Sequence, residues 1–99
     1  MIVTIDADLQ PIVPGYLSRV EEEVGQMRAA LENGDFLTVS RIAHNWKGSG
    51  GGYGLNRISE VGAALEEAAQ RKDVEAMSGS LQSIQSFLAS VDIRYAILP

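Results

Sequence analysis

The chain contains one histidine, His44, and the residues within a helical turn of it carry most of the chemistry the sequence has to offer. An imidazole with an ordinary pKa of about 6.5 is largely neutral at neutral pH, so one ring nitrogen keeps a lone pair for nucleophilic attack. Lys47 follows three positions on and Arg41 precedes by three, spacings that put both cations beside the ring if the segment is helical. A phosphoryl group received on the ring would bring about two negative charges, which such cations steer and stabilise. Gly48, four positions on, leaves the ring sterically open to a partner. The chemistry implied is phosphoryl relay, with His44 as an intermediate carrier.

Other chemistries fall away by composition. The absence of cysteine excludes a disulfide framework, a thiolate zinc site, an iron–sulfur cluster and a cysteine nucleophile, and a single histidine excludes a multi-histidine metal site. Thirteen acidic residues against eight Lys and Arg give a net charge of -5, which repels a phosphate backbone, so nucleic acid is not an expected partner. The stretch Lys47-Gly48-Ser49-Gly50-Gly51-Gly52-Tyr53-Gly54 fails both as a Walker loop, because Lys47 precedes the glycines, and as a dinucleotide fingerprint, because Tyr53 stands at the third glycine position. Nucleotide binding is therefore not expected. None of the serines is marked as a nucleophile at a strained turn. Glu21-Glu22-Glu23 and Glu66-Glu67 read as solvated faces. With no long apolar run and no signal-peptide start, the chain is expected to be cytoplasmic and free of the membrane.

The elements that must position His44 are helices. Val13, Leu17, Val20, Val24, Met27 and Leu31 step by three and four, which places them on one face of a helix over about residues 14–32, closed by Asn33-Gly34. Asp35 caps a second helix with Phe36, Val39, Ala43, Trp46 and Gly50 inward. A third carries Leu55, Ile58, Val61, Gly62, Leu65, Ala68 and Ala69. The fourth, capped by Asp73, is read as running from Val74 through Met77, Leu81, Ile84, Leu88 and Val91 to Tyr95. A short helical segment is expected near Asp6–Ile12, and no strand is assigned. With 45% hydrophobic residues and 99 residues in all, residues 1–99 read as one all-α domain, an antiparallel up-down-up-down four-helix bundle. On a wheel of roughly 100° per residue, His44 falls about 130° from the centre of its helix's apolar stripe and faces solvent.

The run Ala43-His44-Asn45-Trp46-Lys47-Gly48-Ser49, with Gly54 ten positions after the histidine and Leu65-Glu66 beyond it, resembles the signature of histidine-containing phosphotransfer (Hpt) domains. The approach segments Ile12–Leu17 and Ala29–Asp35 are similar to that family as well. The resemblance implies a four-helix bundle in which His44 accepts the phosphoryl group, Lys47 assists electrostatically, Gly48 gives clearance and Gly54 forms the turn between the second and third helices. It implies a phosphocarrier, not an enzyme, that needs no cofactor of its own. A response-regulator receiver domain would supply an aspartate and a magnesium ion, or the partner is a hybrid sensor histidine kinase. The expected docking face is Leu37, Ser40, Arg41, His44, Lys47, Gly48 and Gly51.

Two features depart from the family pattern. Trp46 stands where a leucine is usual and calls for small residues opposite, such as Ala64 or Ala68, and the extra glycines imply a helix that bends or frays after about Ser49. Two readings compete with the relay: a helical adaptor that binds receiver or kinase domains without being phosphorylated, and a bundle enzyme using His44 as a general base, which needs a buried cleft around the ring. The apolar stripe continuing to Ile97-Leu98 also exceeds what one bundle needs, which leaves self-association open.

Overall fold

The computed structural model describes all of residues 1–99. Four helices form the body: α1 (Val13–Glu32), α2 (Phe36–Ser49), α3 (Asn56–Gln70) and α4 (Val74–Ser90). Each follows from local signals. Pro14 sits in the first turn of α1, where a missing amide proton costs nothing. Asp35 and Asp73 cap α2 and α4 by accepting from the Thr38 and Ala76 amides. Consecutive helices pack side by side across short connections, and α1 also lies against α4, so the four close into a bundle, as expected.

The buried residues are all hydrophobic apart from glycine and form one cluster. On α3 the expected stripe is buried throughout, from Ile58 to Ala69. On α1 the stripe turns slightly: Tyr16 and Ala30 are buried, while Leu17 and Leu31 are only half covered. A buried Leu, Ile or Phe contributes roughly 1.5–3 kcal/mol, so this cluster, and not helix propensity, holds the bundle together.

The assignment of no strands is corrected at both ends. Ile2–Asp6 is a strand, β1, and Asp92–Ala96 is a second, β2, paired parallel with Val3 opposite Ile93 and Ile5 opposite Tyr95. Helix α4 therefore stops at Ser90 instead of reaching Tyr95. Val91 and Tyr95 fit a helical stripe, yet Val91, Ile93 and Tyr95 alternating with Asp92 and Arg94 also fit a strand. The deciding partner lies some 90 residues away in sequence. The expected N-terminal helical segment is a single 3-10 turn over Ala7–Leu9.

The α-helix ends at Ser49, where the sequence led one to expect a bend or fraying. Gly50–Tyr53 tightens into a 3-10 turn, and Gly54 at φ 77° reverses the chain into α3. A side chain at Gly50 would lie 2.6 Å from the Ser59 amide nitrogen, so what approaches this glycine is the chain's own α3 and not an outside partner. Gly62 stands against Trp46, where a Cβ would lie 2.9 Å from the Trp46 Cβ; of the two small residues expected opposite it, Ala64 is exposed and Ala68 is buried in the same core cluster.

The Asp35 cap has a pH signature. Hydrogen bonds from the Thr38 hydroxyl and then the Thr38 amide hold its carboxyl below the ordinary 3.8. A carboxyl whose folded pKa is depressed contributes stability at pH values above its unfolded pKa and loses it as pH falls through the lower folded value. Thermal unfolding in an acid series is expected to show Asp35→Ala less stable than the parent at neutral pH. The gap should narrow once the parent's carboxyl is protonated, and a gap that does not change with pH would contradict this.

Candidate functional site

Helix α2 turns Val39, Ile42, Ala43 and Trp46 into the core, and this anchoring fixes His44 on the opposite flank. The His44 side chain is 71% exposed, as the wheel placed it, and stands on an open face, not in the buried cleft that the enzyme reading requires. Its Nδ1 lies 2.7 Å from Oε2 of Glu66, on α3. With the carboxylate as acceptor, Nδ1 carries the proton, and in the neutral ring Nε2 keeps the lone pair.

Glu66 also takes Lys47, whose Nζ is 3.5 Å from its other oxygen. The carboxylate is only 16% exposed while Lys47 is 54% exposed, so the acid is set into the α2–α3 groove and the lysine reaches across from outside. The assignment of Glu66 to a solvated face is therefore corrected: it is the hub of the site. The sequence placed it within the Leu65-Glu66 element, but nothing in spacing alone connects residues 44 and 66. Glu67, its neighbour, is exposed as expected.

Helix α1 forms the other wall. An open hollow of about 480 Å3 is lined by Arg19, Glu23, His44, Asn45, Gly48 and Ser49. Beneath it, Tyr16 stacks on Tyr53 with ring centres 3.9 Å apart, and the Tyr16 hydroxyl is 2.8 Å from Ser49 Oγ. Burial pushes that hydroxyl above its ordinary pKa of 10.0, so it stays protonated. Glu23, also read as solvated, is drawn in to accept from the Trp46 indole at 3.0 Å, and Arg19 approaches the same carboxylate at 3.9 Å. Arg19 Cζ stands 5.2 Å from the centre of the Tyr16 ring, a cation–π distance.

The remaining expected residues share the flank with His44 to different degrees. Gly48 has open space around it, whereas the Gly51 amide donates to Ser59 Oγ at 2.8 Å, and a side chain at Gly51 would meet Asn56 and Ser59 at ordinary contact distances. Leu37 is 80% exposed at the start of α2, Ser40 is half covered, and Arg41 is exposed and enters no ion pair. The guanidinium that shares a hollow with the imidazole is that of Arg19, which sequence spacing could not find because it arrives from another helix. No group of three or more His, Cys, Asp or Glu side chains is arranged to hold a metal ion.

Fold and site together define a four-helix bundle that presents one histidine to solvent, with a carboxylate fixing its tautomer from the neighbouring helix. Residues 12–93 match the family model described as the Hpt domain, most of the chain, and the protein belongs to that family. Hpt domains serve phosphorelay, two-component signalling, and in general engage response-regulator receiver domains and kinases. Neither a curated protein nor a solved structure matched the chain at a significant level. No helix is long and apolar enough to cross a membrane.

Proposed function

We propose that this chain is a phosphocarrier in which Nε2 of His44 takes a phosphoryl group from the aspartyl phosphate of a receiver domain and returns it to such an aspartate. The observation that carries this reading is the 2.7 Å bond from Nδ1 to Glu66 beneath an imidazole that is 71% exposed. In the step, the Nε2 lone pair attacks phosphorus, the bond from phosphorus to the aspartyl oxygen breaks, and the aspartate leaves as a carboxylate. The ring becomes cationic because Nδ1 keeps its proton, and the Glu66 carboxylate compensates that charge at short range. Lys47 is then free to turn from Glu66 toward the phosphoryl oxygens. Gly48 leaves the approach to the ring unobstructed, and Leu37, Ser40, Arg41 and Gly51 extend the surface on which the partner rests. The magnesium ion belongs to the receiver domain in this proposal, and the present chain contributes no cofactor.

The test is transfer from radiolabelled, phosphorylated receiver domains, with phosphorus NMR to place the label. A phosphohistidine substituted at Nε2 is expected, and a label on Nδ1 or on a residue other than His44 refutes the reading.

Glu66 supplies a graded prediction. Replacing it by Gln keeps an acceptor for Nδ1 but removes the charge, and replacing it by Ala removes both. A charge-assisted hydrogen bond contributes roughly 1.5–3 kcal/mol where it is buried and less at a partly exposed site, so a decrease of about tenfold in transfer rate is expected for Glu66→Ala. The loss should be smaller for Glu66→Gln. Equal rates for all three proteins would remove Glu66 from the mechanism.

A further inference from the structure

Strands β1 and β2 form a sheet of only two strands, so each keeps a free outer edge. The Asp92 amide donates to the Met1 carbonyl, and the parallel register then turns the backbone groups of Asp92, Arg94 and Ala96 toward β1. Those of Ile93 and Tyr95 point to the open side. We propose that this edge of β2 pairs antiparallel with β2 of a second copy of the chain, about a two-fold axis through Ile93, joining two ribbons into one four-stranded sheet.

The charge pattern selects this occupant and this register. An axis through Ile93 sets Asp92 opposite the partner's Arg94 and Arg94 opposite the partner's Asp92, so both cross-strand pairs are of opposite sign. Arg94 Nη2 already lies 2.8 Å from Asp92 Oδ2 within one strand, and the four side chains would alternate in sign on the exposed face of the joined sheet. On the other face Ile93 meets the partner's Ile93, and Val91, whose amide stays on the Phe87 carbonyl as the cap of α4, stands across from the partner's Tyr95 through its side chain alone; all are apolar and only half buried in the single chain. Ile93 is also a residue whose amide and carbonyl both face the free edge, which a residue on the axis of a closely spaced hydrogen-bonded pair must be. Charges and proline commonly guard an edge, but here the two charges are of opposite sign in a self-complementary order, so across the proposed joint they attract. The edge of β1 lacks that match. Its outward backbone groups belong to Ile2, Thr4 and Asp6, an axis through Thr4 would set Asp6 against the partner's Ile2, and Asp6 already accepts from the Asp8 amide. Ile97, 94% exposed, lies at the rim of the proposed joint.

Sedimentation velocity on the full chain over a concentration series tests the proposal. A concentration-dependent dimer is expected. Arg94→Asp sets carboxylate against carboxylate twice and should raise the dissociation constant by about tenfold or more, with helix content and His44 phosphorylation unchanged. The double variant D92R/R94D exchanges the signs in the same register and should restore association. A chain that stays monomeric to millimolar concentration overturns the proposal, whether or not the edge accepts a strand from another protein. So does a dimer that Arg94→Asp leaves intact, or a failure of the double variant to recover.

Discussion

His44→Gln is expected to abolish uptake of phosphate from any phosphorylated receiver domain while leaving the fold intact. Glutamine offers no nitrogen with a free lone pair for attack on phosphorus, because its amide nitrogen is conjugated, so no covalent intermediate forms. The fold should survive because the side chain is 71% exposed and packs against nothing in the core. Substitutions at such positions usually change stability by no more than about 0.5 kcal/mol. Loss of the bond to Glu66 adds little, because Lys47 remains beside that carboxylate. Acid-labile label measured over time for parent and variant, together with a thermal melt of each, decides the matter. Equal labelling would mean that His44 is not the acceptor. A receiver domain that binds both proteins equally, with label on neither, would favour the unphosphorylated adaptor.

The second large effect is expected at a residue that never touches the reacting atoms. Gly62 on α3 lies so close to α2 that a Cβ would stand 2.6 Å from the Lys47 amide nitrogen and 2.8 Å from the Ala43 carbonyl oxygen. Both are backbone atoms and cannot rotate aside, so Gly62→Ala must push α2 and α3 apart. Overpacking of this kind costs about 1–3 kcal/mol, and the better helix propensity of alanine offsets at most about 1 kcal/mol. For a domain near 100 residues a net loss of about 2 kcal/mol, the upper part of that range, corresponds to a fall in Tm of roughly 8–16 °C.

The same displacement reaches the site, because Glu66 lies one turn beyond Gly62 on α3 and must span the gap to His44 on α2. The Nδ1–Glu66 bond should lengthen, and imidazole nitrogen NMR should show the two neutral tautomers mixing where the parent shows one. Transfer from a receiver domain should slow alongside. A variant that melts higher than the parent would show that the helices can absorb the methyl group. The close approach of α2 and α3 would then not be what orders the site.

Much of this molecule is written in local spacing. The three- and four-residue steps of Val20, Val24 and Met27, or of Met77, Leu81 and Ile84, oblige a helix to bury one face whatever it packs against. The side opposite Val39, Ala43 and Trp46 is then exposed by the same geometry. The outward direction of His44, the caps at Asp35 and Asp73 and the turn at Gly54 are all of this kind, since each depends on atoms within a few residues. The resemblance around His44, Lys47 and Gly48 is legible for the same reason, being a pattern of fixed offsets on one helix.

What could not be read from spacing is every contact between elements. That Glu66 and not solvent receives Nδ1, that Arg19 and not Arg41 shares the hollow with the ring, and that Glu23 turns inward to Trp46 all depend on which helices meet and at what height. The close approach at Gly62 sets that height. The chain ends show the limit most plainly. Val91 to Tyr95 satisfies a helical step and a strand alternation at once, and pairing with Ile2–Asp6 at the far end of the sequence settles it. The sequence by itself determined four amphipathic helices and a histidine that faces water, because periodicity acts locally. Only the tertiary structure decided that histidine's tautomer, the charges that attend it and the strands at the chain ends, because those rest on packing between residues far apart in the chain.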